Sequence, residues 1–286
     1  MPQFLGAVCI FLAFLNFSLQ AGTWQVKKTP HFEIYHESDW TPHSIAIELE
    51  RIYGQLRMNL SMFAPWMVTE KTRIYIHRNK NSYLNGEFNP PAWSKGLAFF
   101  DKKAVVVYDS GDLVKLRAVI THELTHLYFE SFYAESLKFP PQWLNEGLAV
   151  LMEDASYSRG KGPWSAALKY APEERFENFE VFSRVDLRNM RNESVQKIGD
   201  WYLHAFGIAG FLYGRTKRIQ FKNFCVMNRK GETLEKSLWE AYRYKNPRHF
   251  EDEWRKWLRT YGAKETDKFS SGFSSASFEF IPFKSK

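Results

Sequence analysis

The chain has 286 residues, with 39 Lys and Arg against 32 Asp and Glu, a net charge of +7, and 17% aromatic residues. The positive charge is spread along the sequence without a basic arm, so it gives no ground for a nucleic-acid partner, although it suits contact with acidic surfaces. Its two cysteines are Cys9 and Cys225, and Cys9 falls in an apolar N-terminal run, which excludes a cystine framework as the source of stability.

Residues 1–21 carry no charged side chain, and Phe4 to Leu15 is a continuous apolar run. It matches a signal-peptide core in length and is too short to span a bilayer. Ser18-Leu19-Gln20-Ala21 offers a cleavage site after Ala21. The run lacks a Lys or Arg before it, so an uncleaved anchor or a buried N-terminal strand is the alternative. We expect export to the periplasm, the cell surface or the medium, and a mature chain without a transmembrane span. Peripheral contact with the envelope is compatible with the basic surface.

Some 265 residues then remain, enough for one large domain or two closely packed lobes. The first lobe, residues 22–135, alternates between strand and helix. His31 to His36 alternates with a period of two and reads as a strand. Thr41-Pro42 opens a helix to about Met62, with Ile45, Leu49, Ile52, Leu56 and Leu60 on one face. Thr72 to His77 is a second strand. Gly96 to Phe100 and Ala104 to Tyr108 form a hairpin across Asp101-Lys102-Lys103.

Asp109-Ser110-Gly111-Asp112 supplies a turn and an N-cap for a helix running to about Glu130. That helix carries His122-Glu123-Leu124-Thr125-His126. Two histidines four apart stand nearly one above the other, because four residues turn a helix by about 400°. Both imidazoles reach one ion, and Glu123 lies where it can touch a water on that ion. The pattern arises by chance in about 1 in 100 chains of this length, so its surroundings decide. Leu116, Val119, Ile120, Leu124 and Leu127 recur at helical spacing and bury the helix. Histidines and a glutamate on a buried helix are costly without a partner such as a metal.

A loop over Ser131 to Phe139 reverses the chain. Pro140-Pro141 then starts a helix to about Asp154 containing Trp143-Leu144-Asn145-Glu146-Gly147-Leu148-Ala149. A catalytic zinc takes three protein ligands and keeps a fourth position open, and Glu146 is the available third. The expected cofactor is therefore one Zn²⁺ per chain, held by His122, His126 and Glu146.

His-Glu-Leu-Thr-His followed by Pro-Gln-Trp-Leu-Asn-Glu-Gly-Leu-Ala resembles the gluzincin metallopeptidases of the thermolysin-like superfamily (clan MA), in particular their compact bacterial members. The resemblance runs from about Trp24 to Tyr261, with its specific signal in these two motifs. It implies an α+β, zincin-like fold: an N-terminal mixed sheet with an edge strand, the active-site helices, then a mainly helical lobe over residues 136–262. It also implies that an edge strand pairs with an extended peptide, and Gly96, Leu97 and Ala98 are the candidates for that substrate contact. Asn145 matches a residue that holds a zinc histidine in orientation. Where thermolysin has an Asp four residues beyond the ligand Glu, this chain has Val150, so Glu130, Glu153 or a backbone carbonyl must serve the other histidine.

Residues 155–200 are turn-rich and resist reading. Trp201 to Tyr213, Thr233 to Tyr242 and Pro247 to Tyr261 read as helices, and residues 263–286 as a tail. Tyr202-Leu203-His204-Ala205-Phe206 to Leu212 is similar to the helix that carries the oxyanion donor in the compact relatives. Tyr202 and His204 are both candidates for that catalytic role.

These parts imply peptide-bond hydrolysis, with Glu123 as general base and a peptide or protein as substrate. Trp93 to Phe100 contains no acid to hold a free α-ammonium group, which favours an endopeptidase over an aminopeptidase. The alternative is a catalytically inactive, zinc-retaining envelope binding or scaffold protein.

Overall fold

A computed structural model describes residues 24–38, 43–157, 162–214 and 216–263. The N-terminal leader and the tail from Lys264 lie outside the described residues. The first half builds a five-stranded mixed sheet from β1 (Gln25–Lys28), β2 (Phe32–His36), β3 (Thr72–His77), β4 (Gly96–Phe99) and β5 (Ala104–Tyr108), in the spatial order β1-β2-β3-β5-β4. β2, β3 and β5 run parallel, and the two outer strands are antiparallel to their neighbours. In β5, Val105, Val106 and Val107 are all fully buried, as expected of a parallel strand covered on both faces. Sequence order hides one feature of this sheet: β5 directly precedes the next long helix, yet β4 forms the edge.

α1 (His43–Leu60) connects β2 to β3. Its inward face is Ile45, Leu49, Ile52, Leu56 and Leu60, all essentially without solvent exposure, the stripe that the 3.6-residue period requires. α2 (Lys80–Leu84) follows β3, and α3 (Leu113–Ala134) follows β5. Asp112 caps α3, its Oδ1 accepting from Val114 N at 2.9 Å and Lys115 N at 3.1 Å. α3 runs one turn beyond the expected end at Glu130, because Phe132 and Tyr133 still face the core. The reversing loop is correspondingly shorter.

The remaining helices are α4 (Gln142–Ala155), α5 (Pro163–Tyr170), α6 (Phe179–Ser183), α7 (Val195–Tyr213), α8 (Arg218–Lys230), α9 (Leu234–Tyr242) and α10 (Pro247–Ala263). α7 begins six residues before Trp201, with Ser194 as its N-cap. α8 falls in the stretch beyond Asp200 that reads as helical without being delimited there; Phe221, Phe224 and Cys225 are its buried residues, and Val226 packs half-buried against the core.

α3 lies on β4 and β5 beside α1, α4 lies on α3, and α7 lies on α4. Buried side chains from the sheet through α10 form one continuous core. At the α4–α7 crossing, a Cβ on Gly147 would stand 2.4 Å from the Ala205 carbonyl oxygen. Two helix backbones meet there with no side chain between them, and glycine permits it. Among the described residues no helix is long and apolar enough to cross a membrane.

The Asp112 cap satisfies two of the unpaired amides at the start of α3. Asp112→Ala is therefore expected to lower folding stability by about 1 kcal/mol, read from urea unfolding. An unchanged midpoint would show that α3 is held by packing alone.

Candidate metal centre

α3 and α4 cross so that His122, His126 and Glu146 converge in the interior. The Nε2 atoms of His122 and His126 stand 3.0 Å apart, and Glu146 Oε2 is 3.6 Å from each. Tetrahedral ligands about 2.1 Å from a common centre lie roughly 3.4 Å from one another, so the three atoms already have the spacing of a shared ion. They also form a group of potential metal ligands whose donor atoms all lie within 4.8 Å of one another.

The electrostatics point the same way. Glu146 is 1% exposed, and neither of its carboxylate oxygens completes a hydrogen bond among the described residues. Burial alone would raise its pKa, but the two imidazoles hold it down at about 2. Burial would lower the pKa of His126, and the Glu146 carboxylate overrides this, lifting the ring to about 10. His122 follows: burial opposes its charge, and Glu146 and Glu153 raise its pKa above the ordinary value. With protons alone to balance it, the cluster draws positive charge toward Glu146. A divalent cation meets that demand with the histidines neutral, which is the state that ligates.

A neighbouring carboxylate orients the His122 ring. Glu153 Oε2 lies 2.9 Å from His122 Nδ1, which assigns the proton to Nδ1 and the lone pair to Nε2. Glu130 Oε1 is 3.9 Å from His126 Nδ1. These are two of the partners expected in place of the residue at Val150. Asn145 lies beside Glu130, which faces His126. Its Nδ2 donates to Glu130 Oε1 at 2.8 Å. Thr121 and Thr125 are also buried here. Each returns its hydroxyl to the backbone carbonyl four residues earlier, at 2.8 Å, and so places no unsatisfied group in the core.

Glu123 is buried on the β4 side of the cluster. A Cβ at Gly96 would stand 2.7 Å from Glu123 Cγ, so the carboxylate lies directly against the backbone of the edge strand. Burial pushes the Glu123 pKa up to about 7, with His122 and His126 pulling against it. Two residues not singled out from sequence fasten that strand. The Tyr83 hydroxyl and Ser94 Oγ are 2.7 Å apart, and Ser94 Oγ donates to the Gly96 carbonyl at 2.6 Å. A serine two residues before a strand glycine is a common local arrangement; the Tyr83 contact spans eleven residues and had no sequence signal.

Leu97 is buried and Ala98 half-buried, both on the edge strand with Gly96. Tyr202 and His204 part company. Two residues turn a helix by about 200°, so they occupy opposite faces of α7. The Tyr202 ring packs against Trp201 and Trp164. His204 stacks among Phe182, Trp254 and Phe176, with ring centroids at 4.0, 4.8 and 5.2 Å, and is not brought to the metal group.

That aromatic cage makes His204 a titration liability. Burial lowers its pKa from 6.5 to about 3, so the folded protein keeps it neutral while the unfolded chain takes up a proton below about pH 6.5. Stability attributable to this residue is intact above that pH and declines as pH falls toward 3, by about 2 kcal/mol at pH 5. Between pH 7 and pH 5, His204→Phe should lose less stability in urea unfolding than the parent by that amount. Equal losses would show that the ring is protonated within the fold.

A family model described as the peptidase MA superfamily matches residues 59–260, a span that includes both motifs, β4 and most of the helical half. No curated protein matches the chain. With the matched span covering well over half of the sequence, the chain belongs to the peptidase MA superfamily.

Proposed function

We propose that this protein is a zinc-dependent metallopeptidase that cleaves within peptide chains, with Glu123 as its general base. The observation that carries this reading is the convergence of two imidazole nitrogens and one carboxylate oxygen at 3.0 to 3.6 Å. His122, His126 and Glu146 would hold the ion. When bound, zinc supplies Lewis-acid polarisation of a carbonyl and acidifies water.

The chain's own residues do the rest. Glu123 takes the proton of the attacking water and delivers it to the leaving amine. Its position is fixed by its neighbour on α3, His122, and by the absence of a side chain at Gly96. β4 is an outer strand paired on one side with β5. An extended peptide pairing along Gly96, Leu97 and Ala98 would lay its backbone beside Glu123. Glu153, hydrogen-bonded to His122 Nδ1, would keep that ring turned to the ion.

Endopeptidase action is favoured over aminopeptidase action because residues 93–100, Trp-Ser-Lys-Gly-Leu-Ala-Phe-Phe, offer no carboxylate to a substrate's free amine. Export, as the apolar N-terminal run suggests, would place the enzyme where extracytoplasmic proteins or peptides are its substrates.

Digestion of a peptide library with and without chelator tests the reading, because it reports activity, metal dependence and cleavage position together. Internal cleavage, lost on chelation and restored by zinc, is expected. Glu123→Gln should retain zinc and lose about 10²- to 10⁴-fold in rate. A Glu123→Gln protein that cleaves as fast as the parent would remove the proposed mechanism.

A further inference from the structure

The turn between α3 and α4 carries two large apolar side chains out into solvent. Leu137 is 94% exposed and Phe139 77%, and Lys138 between them is exposed as well. Leu137 N donates to the Ala134 carbonyl at 2.9 Å, and Lys138 N to the Tyr133 carbonyl at 3.3 Å. This is the Schellman arrangement of a helix end, and it places Leu137 where the backbone turns left-handed. Its φ is +53°. Glycine or asparagine takes that position at little cost, whereas a bulky side chain there is strained. The chain thus keeps an apolar side chain on strained backbone, at a place where folding buries almost none of it.

Positive charge adjoins this tip. α8 carries Arg218, Lys222, Arg229 and Lys230 and no acid. Its C-terminal end meets the turn, since a Cβ on Gly231 would stand 2.6 Å from Lys138 Nζ. Glu135 and Glu232, the acids flanking this corner in sequence, are neutralised by Arg229 and Lys236, each at 2.8 Å. Lys138 and Lys230 make no ion pair among the described residues.

We propose that the Leu137-Lys138-Phe139 tip docks this protein on an anionic lipid surface. Leu137 and Phe139 enter the acyl boundary, and Lys138 and Lys230 meet the headgroups. A bilayer takes up each apolar side chain separately, and anionic headgroups attract the cations beside it. A stable protein interface would instead need roughly 800 Å² on this side, and two side chains on one projecting turn supply a fraction of that. The turn joins the helix of His122 and His126 to the helix of Glu146, so docking holds that cluster close to the bilayer. Under the peptidase reading its substrates are then membrane-associated polypeptides; the docking itself does not depend on that reading.

Co-sedimentation of the full chain with phosphatidylglycerol vesicles, and with phosphatidylcholine vesicles for comparison, tests the proposal. The parent should bind phosphatidylglycerol more tightly than phosphatidylcholine, and less tightly as salt rises. Leu137→Ser/Phe139→Ser should weaken binding to phosphatidylglycerol about tenfold or more, and Lys138→Gln/Lys230→Gln should narrow the preference between the two lipids. Leu137→Gly separates docking from folding. Glycine suits the left-handed backbone, so its urea midpoint should be no lower than the parent's while its vesicle binding falls. Equal vesicle binding by the parent and Leu137→Ser/Phe139→Ser overturns the proposal, whether both bind, as through the apolar N-terminal run, or neither does. A parent dimer that the same double substitution dissociates in sedimentation equilibrium, with vesicle binding unchanged, also overturns it and assigns the tip to a protein contact. None of these readouts involves the metal, so loss of the zinc reading would leave the docking result standing.

Discussion

A carboxylate sealed in the protein interior between two imidazoles is the constraint around which the rest of this structure is arranged. Burying an unpaired anion costs several kcal/mol, and Glu146 is almost wholly removed from water with no aligned hydrogen bond on either oxygen. The pairing that offsets this cost is with His122 and His126, and it works when a positive charge resides among the three. Protons meet that need imperfectly, since the two facing Nε2 atoms are only 3.0 Å apart. A divalent ion meets it with both rings neutral. A site of this kind couples folding to metal binding, and α3 and α4 are where the coupling is felt.

Two close backbone approaches, each at a glycine, bring the chemistry together. Gly147 lets α7 lie directly on α4 beside the ligand carboxylate, and Gly96 lets Glu123 lie against the edge strand. Each side chain larger than hydrogen at these places would have to displace a functional group or a helix backbone. The sheet topology adds the second requirement. Because the chain passes from β4 back to β5 before entering α3, the strand nearest Glu123 has one side unpaired among the described residues. The helix that carries His122, Glu123 and His126 and the edge strand beside it thus follow from one hairpin, within the span that matches the peptidase MA superfamily.

Legibility from sequence followed the range of the interaction. His122, Glu123 and His126 share one helical face, so their relation is set by the helix period alone, and the apolar positions around them show that the face is buried. Glu146 was found because its own helix carries a local motif. The inward stripe of α1 and the β4–β5 hairpin were equally local. The position of β5 inside β4 depends on pairing with β3, more than twenty-five residues upstream, and no periodicity records it. The bounds of α8 are not legible because its inward residues, Phe221, Phe224 and Cys225 with half-buried Val226, are interrupted by Arg, Lys and Asn. α3 runs past Glu130 because Phe132 meets Phe63 from a distant part of the chain. Tyr202 and His204, two residues apart, have the same standing in the sequence, and only the packing of α7 puts His204 in an aromatic cage of Phe176, Phe182 and Trp254.

The central claim is that one divalent ion binds where these three side chains meet. Anomalous diffraction from crystals of the zinc-loaded protein, recorded on both sides of the zinc edge, tests it most directly. The account predicts a single strong peak about 2 Å from His122 Nε2, His126 Nε2 and a Glu146 carboxylate oxygen. A zinc-loaded crystal with no peak there, or with Glu146 turned out of the cluster, would contradict it.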